Sequence, residues 1–187
     1  MVVGLGNPGP EYVWSRHNAG WLVVDSFVRR IGLEEPRMKF GGAFWPASDV
    51  DGARVALLKP FTYMNLSGKS VVMASKYYGI PPGDILVVLD EAALPFGSVR
   101  YRVSGSAGGQ KGLMSVLAEL GTLDVPRMRV GVGAPPPRVD LTDWVLGKFP
   151  GEQRKIWPEI EDLAWDGLIK WLRGTSGDGF TLRAGGD

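Results

Sequence analysis

The sequence predicts a single α/β domain of three layers, in which a mixed, mostly parallel central sheet is flanked by helices. The chain has 187 residues, of which 44% are hydrophobic, and this is enough for one substantial core. Segments with strand and helix patterns alternate along it. Residues 85–89 form an uninterrupted apolar run, which is typical of a central strand buried on both faces. We place the domain at residues 1–174 and expect a flexible tail, rich in glycine and polar residues, at 175–187.

Short apolar or alternating runs bounded by turn residues predict the strands. One of these runs is divided by Asp51-Gly52, a dipeptide that favours a tight hairpin turn, so it is expected to form two strands. The first strand ends at the turn Gly6-Asn7-Pro8-Gly9. In chain order, strands are expected at residues 2–5, 40–58 (two strands), 85–89, 98–103 and 127–132.

Apolar residues at helical spacing predict the helices, and Gly32 and Gly79 supply stop signals for the first two. Pro158 lies inside the last helical pattern, so the main helix either begins there or is kinked there. In chain order, helices are expected from about residue 18 to 31, from 66 to 78, from the glycine-rich segment 105–112 to 120, from 140 to 146 and from 152 to 173.

Composition excludes several kinds of site. The chain has no cysteine, which rules out disulfides, thiolate metal sites and cysteine nucleophiles and fits a reducing cytoplasm. It has one histidine, His17, so a zinc site built on several imidazoles is also excluded. The formal net charge is +1, so any contact with RNA must come from a local basic patch. No apolar run reaches the length of about 18 residues that predicts a membrane span, and the apolar start at Met1-Val2-Val3 reads as a core strand, so no secretory signal is expected.

Gly4 to Gly9 match the pattern G-x-G-x-x-G of dinucleotide-binding proteins. Such a site requires the loop to open directly into a helix whose N–H groups face the pyrophosphate. Here Pro8 and Pro10 delay the helix to about residue 18, and no second strand ending in an acidic residue follows. Dinucleotide binding is therefore disfavoured.

Three polar segments are candidates for chemistry. His17 lies between a strand-end turn and a helix, where open α/β folds place ligands. In the alternative interpretation, Asn18 caps the helix and His17 is a surface side chain. Asn65 follows Met64 at the start of the second helix, where it also fits a simple cap. Asp90 ends the buried apolar strand, where a charge without a partner is costly, and this favours a functional role. In the alternative interpretation, Asp90 is a turn residue whose carboxylate caps local N–H groups.

The glycine-rich segment 105–112 precedes a helix, and its backbone N–H groups are suited to bind a phosphate. In the alternative interpretation, the segment is only a flexible turn. Basic residues surround this segment in the sequence. Residues two positions apart on a strand lie on the same face, so these side chains could form a patch that binds backbone phosphates. These residues are Arg100, Arg102, Lys111, Arg127 and Arg129.

Taken together and in this order, the segments resemble the bacterial peptidyl-tRNA hydrolase family over most of the chain. The matching stretches are Val3–Gly9 with Tyr12 after it, Arg16–Gly20, Lys59–Lys69, the strand-end Asp90, Leu94–Gly97, Gly105–Gly109, Arg129–Gly133 and Asp143–Phe149.

The resemblance implies hydrolysis of the ester between a peptide and the 3′ ribose of tRNA. It implies that His17 is the general base on a water molecule and that Asp90 accepts from the other imidazole nitrogen. Asn7 and Asn65 correspond to amides that position the substrate, and Tyr12 and Met64 to apolar contacts with its 3′ end. No metal or cofactor is implied, and a monomer that acts in the cytoplasm is expected. From the basic patch we expect Arg100, Arg102 and Arg129 to bind tRNA phosphates.

Two positions depart from the family pattern. Gln110-Lys111 stands where the family usually has His-Asn, and Ala92-Ala93 stands where a second acid is common. Lys111 remains able to donate to the substrate, but only as a point charge. Because the family includes an organellar relative that acts in RNA splicing, an inactive RNA-binding module is the alternative function.

Overall fold

The apolar run at residues 85–89 lies at the centre of the sheet in the computed structural model, which describes residues 1–184. The strands of this part of the chain are β1 (Val2–Gly4), β2 (Arg37–Lys39), β3 (Gly42–Val50), β4 (Ala53–Pro60), β5 (Leu86–Glu91), β6 (Ser98–Arg102), β7 (Arg127–Gly131) and β8 (Gly179–Arg183). They form one sheet in the order β2-β3-β4-β1-β5-β7-β6-β8.

The centre of the sheet, β4-β1-β5-β7, is parallel, and the strands on both margins pair antiparallel. Five helices of the described chain accompany it: α1 (Ala19–Ile31), α2 (Ser67–Tyr78), α3 (Lys111–Leu120), α4 (Leu141–Leu146) and α5 (Gly151–Leu172). The predicted fold class, a mixed sheet flanked by helices, is confirmed.

Two hydrophobic cores separate the three layers. On β5, Leu86 and Val88 face the core shared with α1 and α5, whereas Val87 and Leu89 face the core shared with α2 and α3. Successive side chains of a strand point to opposite faces, so an apolar residue is needed at every position of a strand covered on both sides.

The domain boundary predicted at residue 174 needs correction. Residues 179–183 form β8, which pairs antiparallel with β6 at the edge of the sheet. Phe180 stacks on Tyr101 with ring centroids 5.2 Å apart, and this apolar contact orders a segment whose composition is otherwise polar. Residues 185–187, the end of the predicted tail, lie outside the described residues.

Pro158 does not mark the start of the last helix. Helix α5 runs without a break from Gly151 to Leu172 and contains Pro158, which is exposed. Trp157, Ile160 and Ala164 lie in the core on its other side. Packing along the whole helix compensates for the one backbone hydrogen bond that a proline removes. Within residues 1–184, no helix is both long and apolar enough to cross a membrane.

Candidate active site

The site lies at the carboxyl edge of the two central parallel strands, β1 and β5. His17 belongs to the 3₁₀ turn Arg16–Asn18, which leads directly into α1. Helix α1 starts against the sheet itself: a β-carbon at Gly20 would lie 2.2 Å from the Val88 carbonyl oxygen, so only glycine permits this approach. This contact brings the turn that carries His17 beside the end of β5, which carries Asp90.

His17, which is half-buried, pairs with the buried Asp90. The His17 Nδ1 atom lies 2.9 Å from Asp90 Oδ1 and 3.0 Å from Oδ2. The side chains are 15% and 4% exposed. Because an ionised carboxylate can only accept, Nδ1–H donates to it and the Nε2 lone pair is left to take a proton from water. The alternative in which His17 is a free surface side chain and Asp90 a turn cap is therefore not observed.

Asn18 ties the first loop to the histidine turn instead of capping α1. The Asn7 N–H donates to Asn18 Oδ1 at 2.8 Å, and Asn18 Nδ2 donates to the Asn7 carbonyl at 3.1 Å. The Asn7 side chain in turn accepts from the Met64 N–H at 3.1 Å through Oδ1. Its Nδ2 group has no acceptor within residues 1–184.

A cavity of about 310 Å³ opens at this pair. It brings together four of the residues predicted from the sequence: Asn7, His17, Asp90 and Lys111. Met64 is buried beside it, Asn65 is exposed, and Tyr12 is half-buried on the neighbouring 3₁₀ turn Pro10–Tyr12.

One wall of the cavity was not predicted. Helix α4 contributes its residues Leu141, Thr142, Val145 and Leu146. The sequence indicated this helix but carried no chemical signal that it lines a site, because short apolar side chains on a helix normally denote core.

Arg16 was also missed, and it holds α4 in place. Its buried guanidinium donates to the Trp144 and Lys148 carbonyls at 3.3 and 3.2 Å and lies 3.5 Å from the centroid of the Trp144 ring. Burial lowers the pKa of Arg16. Arg16 belongs to the turn that carries His17 and bonds the cavity wall, so it fixes the position of α4 relative to that turn.

The basic residues on β6 and β7 face the same side of the sheet. Arg100 pairs opposite Arg129, and Arg102 pairs opposite Arg127. Arg102 is exposed, Arg100 donates to Thr181 Oγ1 at 3.2 Å, and Arg129 forms an ion pair with Glu91. Arg102 is therefore the exposed member of the four, whereas Arg100 and Arg129 are half-buried and bonded to neighbouring side chains.

Arg127 does not belong to this surface, so its inclusion in the basic patch is wrong. It is 1% exposed and donates to the carbonyls of Val125, Gly105, Ser106 and Leu123. Burial and the charge of Arg129 lower the pKa of Arg127. Its role is to anchor the glycine-rich loop from below.

Replacing Arg127 with lysine is expected to lower the free energy of unfolding by about 3 kcal/mol. The planar guanidinium donates to several carbonyls in different directions, and a lysine ammonium group cannot reach all of them. Thermal and urea unfolding would measure the loss. Arg37→Lys, at an exposed position on β2, is the matched control and should change stability by less than about 0.5 kcal/mol. Equal stability of the two variants would contradict an anchoring role for Arg127.

Comparison with known proteins agrees with this geometry. The sequence model of the family described as peptidyl-tRNA hydrolase matches residues 1–180. A peptidyl-tRNA hydrolase of Symbiobacterium thermophilum is 49% identical over 153 residues, which cover 80% of this chain and 79% of that protein. One from Nocardia farcinica is 43% identical over 173 residues, covering 92% and 90%. The crystal structure of peptidyl-tRNA hydrolase from Acinetobacter baumannii matches with a TM-score of 0.84 at 36% identity, covering 92% of this chain and 88% of that one.

The fold and the site are those of an α/β enzyme equipped for hydrolysis. The chain belongs to the peptidyl-tRNA hydrolase family, as the resemblance of its sequence segments predicted.

Proposed function

We propose that this chain hydrolyses the ester bond between a peptide, or an N-blocked amino acid, and the 3′ ribose of tRNA. The observation that carries the proposal is the contact between the half-buried His17 and the buried Asp90, which open into a cavity in a chain of this family. The relatives named above are all peptidyl-tRNA hydrolases, which favours this activity over an inactive RNA-binding module.

In the proposed mechanism His17 Nε2 removes a proton from water as the water attacks the ester carbonyl. The imidazolium that forms is stabilised by the Asp90 carboxylate, which also keeps the proton on Nδ1. His17 then returns the proton to the departing 3′ oxygen of the ribose. Water, an imidazole and a carboxylate suffice for ester hydrolysis, so the mechanism uses no cofactor.

We assign substrate positioning to amides and to the first turn of α3. Asn7 Nδ2 is a free donor at the cavity, and Asn65 offers a second, exposed amide. Lys111 lines the cavity at the first residue of α3, where its charge suits a carbonyl oxygen or a phosphate. Donors placed at the reacting carbonyl stabilise the negative charge that develops on its oxygen.

Apolar contacts would hold the two ends of the substrate. The α4 wall of Leu141, Val145 and Leu146 suits peptide side chains, because apolar contacts do not select one sequence. Tyr12 and Met64 are assigned to the 3′ end of the tRNA. Tyr12 offers a half-buried ring for a base to stack on, whereas only the edge of the buried Met64 is accessible.

Phosphate binding is assigned to Arg100, Arg102 and Arg129, which share one face of the sheet. The affinity for tRNA is expected to fall with increasing salt, because each neutralised phosphate releases counterions. Arg102→Gln should reduce the slope of log affinity against log salt by about one unit. Filter binding over a range of salt concentrations measures this, with Arg37→Gln as the control on the opposite edge of the sheet. Binding that does not change with salt would refute the assignment.

The proposed setting is the cytoplasm, with the chain acting as a monomer. The lack of cysteine fits a reducing compartment. Sedimentation equilibrium with and without tRNA tests the oligomeric state, and a single species of about 20 kDa without tRNA is expected from the mass of 20.3 kDa.

The function is tested by incubating the purified chain with an N-blocked aminoacyl-tRNA and following release of the blocked amino acid. Cleavage is expected without added metal or cofactor. A folded chain that binds the tRNA but leaves the ester intact would instead support the RNA-binding alternative.

A further inference from the structure

Gln110 ends the glycine-rich loop and forms the N-cap of α3. Its Oε1 atom accepts a hydrogen bond from the Leu113 N–H at 2.7 Å. A backbone N–H can only donate, so the atom that faces it must be the amide oxygen. The orientation of the amide is thereby determined, and its Nε2 group must point away from the helix.

The Nε2 group lies 3.2 Å from Asp90 Oδ1, with Met64 Sδ as a weaker neighbour at 3.7 Å. The same Asp90 oxygen accepts from His17 Nδ1 at 2.9 Å. Asp90 is 4% exposed, so its charge depends on protein donors. The carboxylate is thus held by two side chains, one from the histidine turn and one from the start of α3.

We propose that Gln110 is a positioning residue, whose amide holds the Asp90 carboxylate in the orientation that accepts from His17 Nδ1. This inference rests on the proposed hydrolysis and adds a third member to the pair that performs it. An amide does not titrate in the physiological range, so it remains a donor to Asp90 at every pH at which the enzyme works.

Gln110 and His17 are coupled, because both donate to the same carboxylate oxygen, Asp90 Oδ1. A change of charge at position 110 is therefore expected to reach the imidazole through Asp90.

Two substitutions separate this role from helix capping. In Gln110→Asn the residue remains a strong N-cap, but its side chain is one carbon shorter and cannot contact both Leu113 N–H and Asp90. In Gln110→Glu the length is kept and a carboxylate oxygen still accepts from the Leu113 N–H. The other carboxylate oxygen then replaces the donor beside Asp90 with a like charge.

The measurement uses the fact that His17 is the only histidine. Its ring signals form a single set in the NMR spectrum, so its titration can be followed without assignment. Gln110→Glu is expected to raise the midpoint of this titration by about one pH unit or more, and to move the acidic limb of the pH–rate profile with it. Gln110→Asn is expected to lower kcat about tenfold with little change in KM.

The matched control is Gln153→Glu, which makes the same change at the only other glutamine, on α5 and outside the cavity. It should leave the His17 titration unchanged. The other charged groups at or next to the site are the same in every variant, and these are Arg16, Glu91, Lys111 and Arg129.

An unchanged His17 titration in Gln110→Glu, with unchanged kcat in Gln110→Asn, would overturn the proposal. The test is separate from that of the function. A wild-type chain that cleaves no ester would refute the hydrolysis, whereas the NMR titration would still show whether Gln110 acts on His17 through Asp90.

Discussion

His17→Ala is expected to reduce kcat for cleavage of N-blocked aminoacyl-tRNA by about 10³- to 10⁴-fold. The substitution removes the proposed general base, and the chain contains no second imidazole that could replace it. Because the base acts on water in the transition state, the loss should appear in kcat, while the affinity for tRNA stays close to that of the wild type. Single-turnover cleavage and filter binding measure the two effects separately.

The variant should remain folded. His17 is 15% exposed, and its removal leaves Asp90 with the Gln110 amide as a donor, so a loss of stability of about 1–2 kcal/mol is expected. Glu159→Ala, at an exposed position on α5, controls for the effect of a surface truncation and should keep the full rate. A folded His17→Ala protein with wild-type activity would exclude His17 as the base.

Asp90→Asn is expected to reduce kcat by about 10²- to 10⁴-fold. The substitution keeps the shape of the side chain, but an amide in this place can turn its NH₂ group toward His17 Nδ1. His17 would then carry its proton on Nε2, and the lone pair needed to accept a proton from water would be lost. The loss of the negative charge also removes the stabilisation of the imidazolium.

The binding of tRNA and a matched control variant show whether the loss of activity comes from Asp90 itself. In Asp90→Asn the affinity for tRNA should be unchanged, because Asp90 is 4% exposed and is not among the residues proposed to bind phosphate. Asp124→Asn makes the same change at an exposed position after α3 and should retain full activity. A loss of less than about tenfold in Asp90→Asn would show that Asp90 does not orient His17.

The sequence predicted the site through order and local pattern. The continuous apolar run before Asp90 and the turn before His17 both indicated positions at the carboxyl edge of a sheet, and the structure places the two side chains in contact. Composition contributed equally, because a single histidine leaves one candidate for imidazole chemistry. The roles of the individual site residues remain predictions until the variants are measured.

The features that the sequence did not predict correctly share a physical cause. The pattern of an alternating strand predicts that Arg127 is a surface charge, but two of the carbonyls that it satisfies, those of Gly105 and Ser106, belong to a loop distant in the sequence. Gln110 reads as a departure from a family pattern, and only its distance to Asp90 gives it a role. Residues 179–183 are polar enough to suggest a tail, and the ring of Tyr101 on another strand orders them.

The sequence by itself determined the α/β class, the central strands and the identity of the one imidazole. Composition and the periodicity of apolar residues can be read from the chain directly, and that periodicity indicates which faces of a helix or strand are buried. Tertiary structure alone decided which donors satisfy Asp90, which arginines are buried and where the sheet ends. These depend on hydrogen bonds and packing between residues far apart in the chain, and the free energy of a buried charge is determined by the partners that folding brings to it.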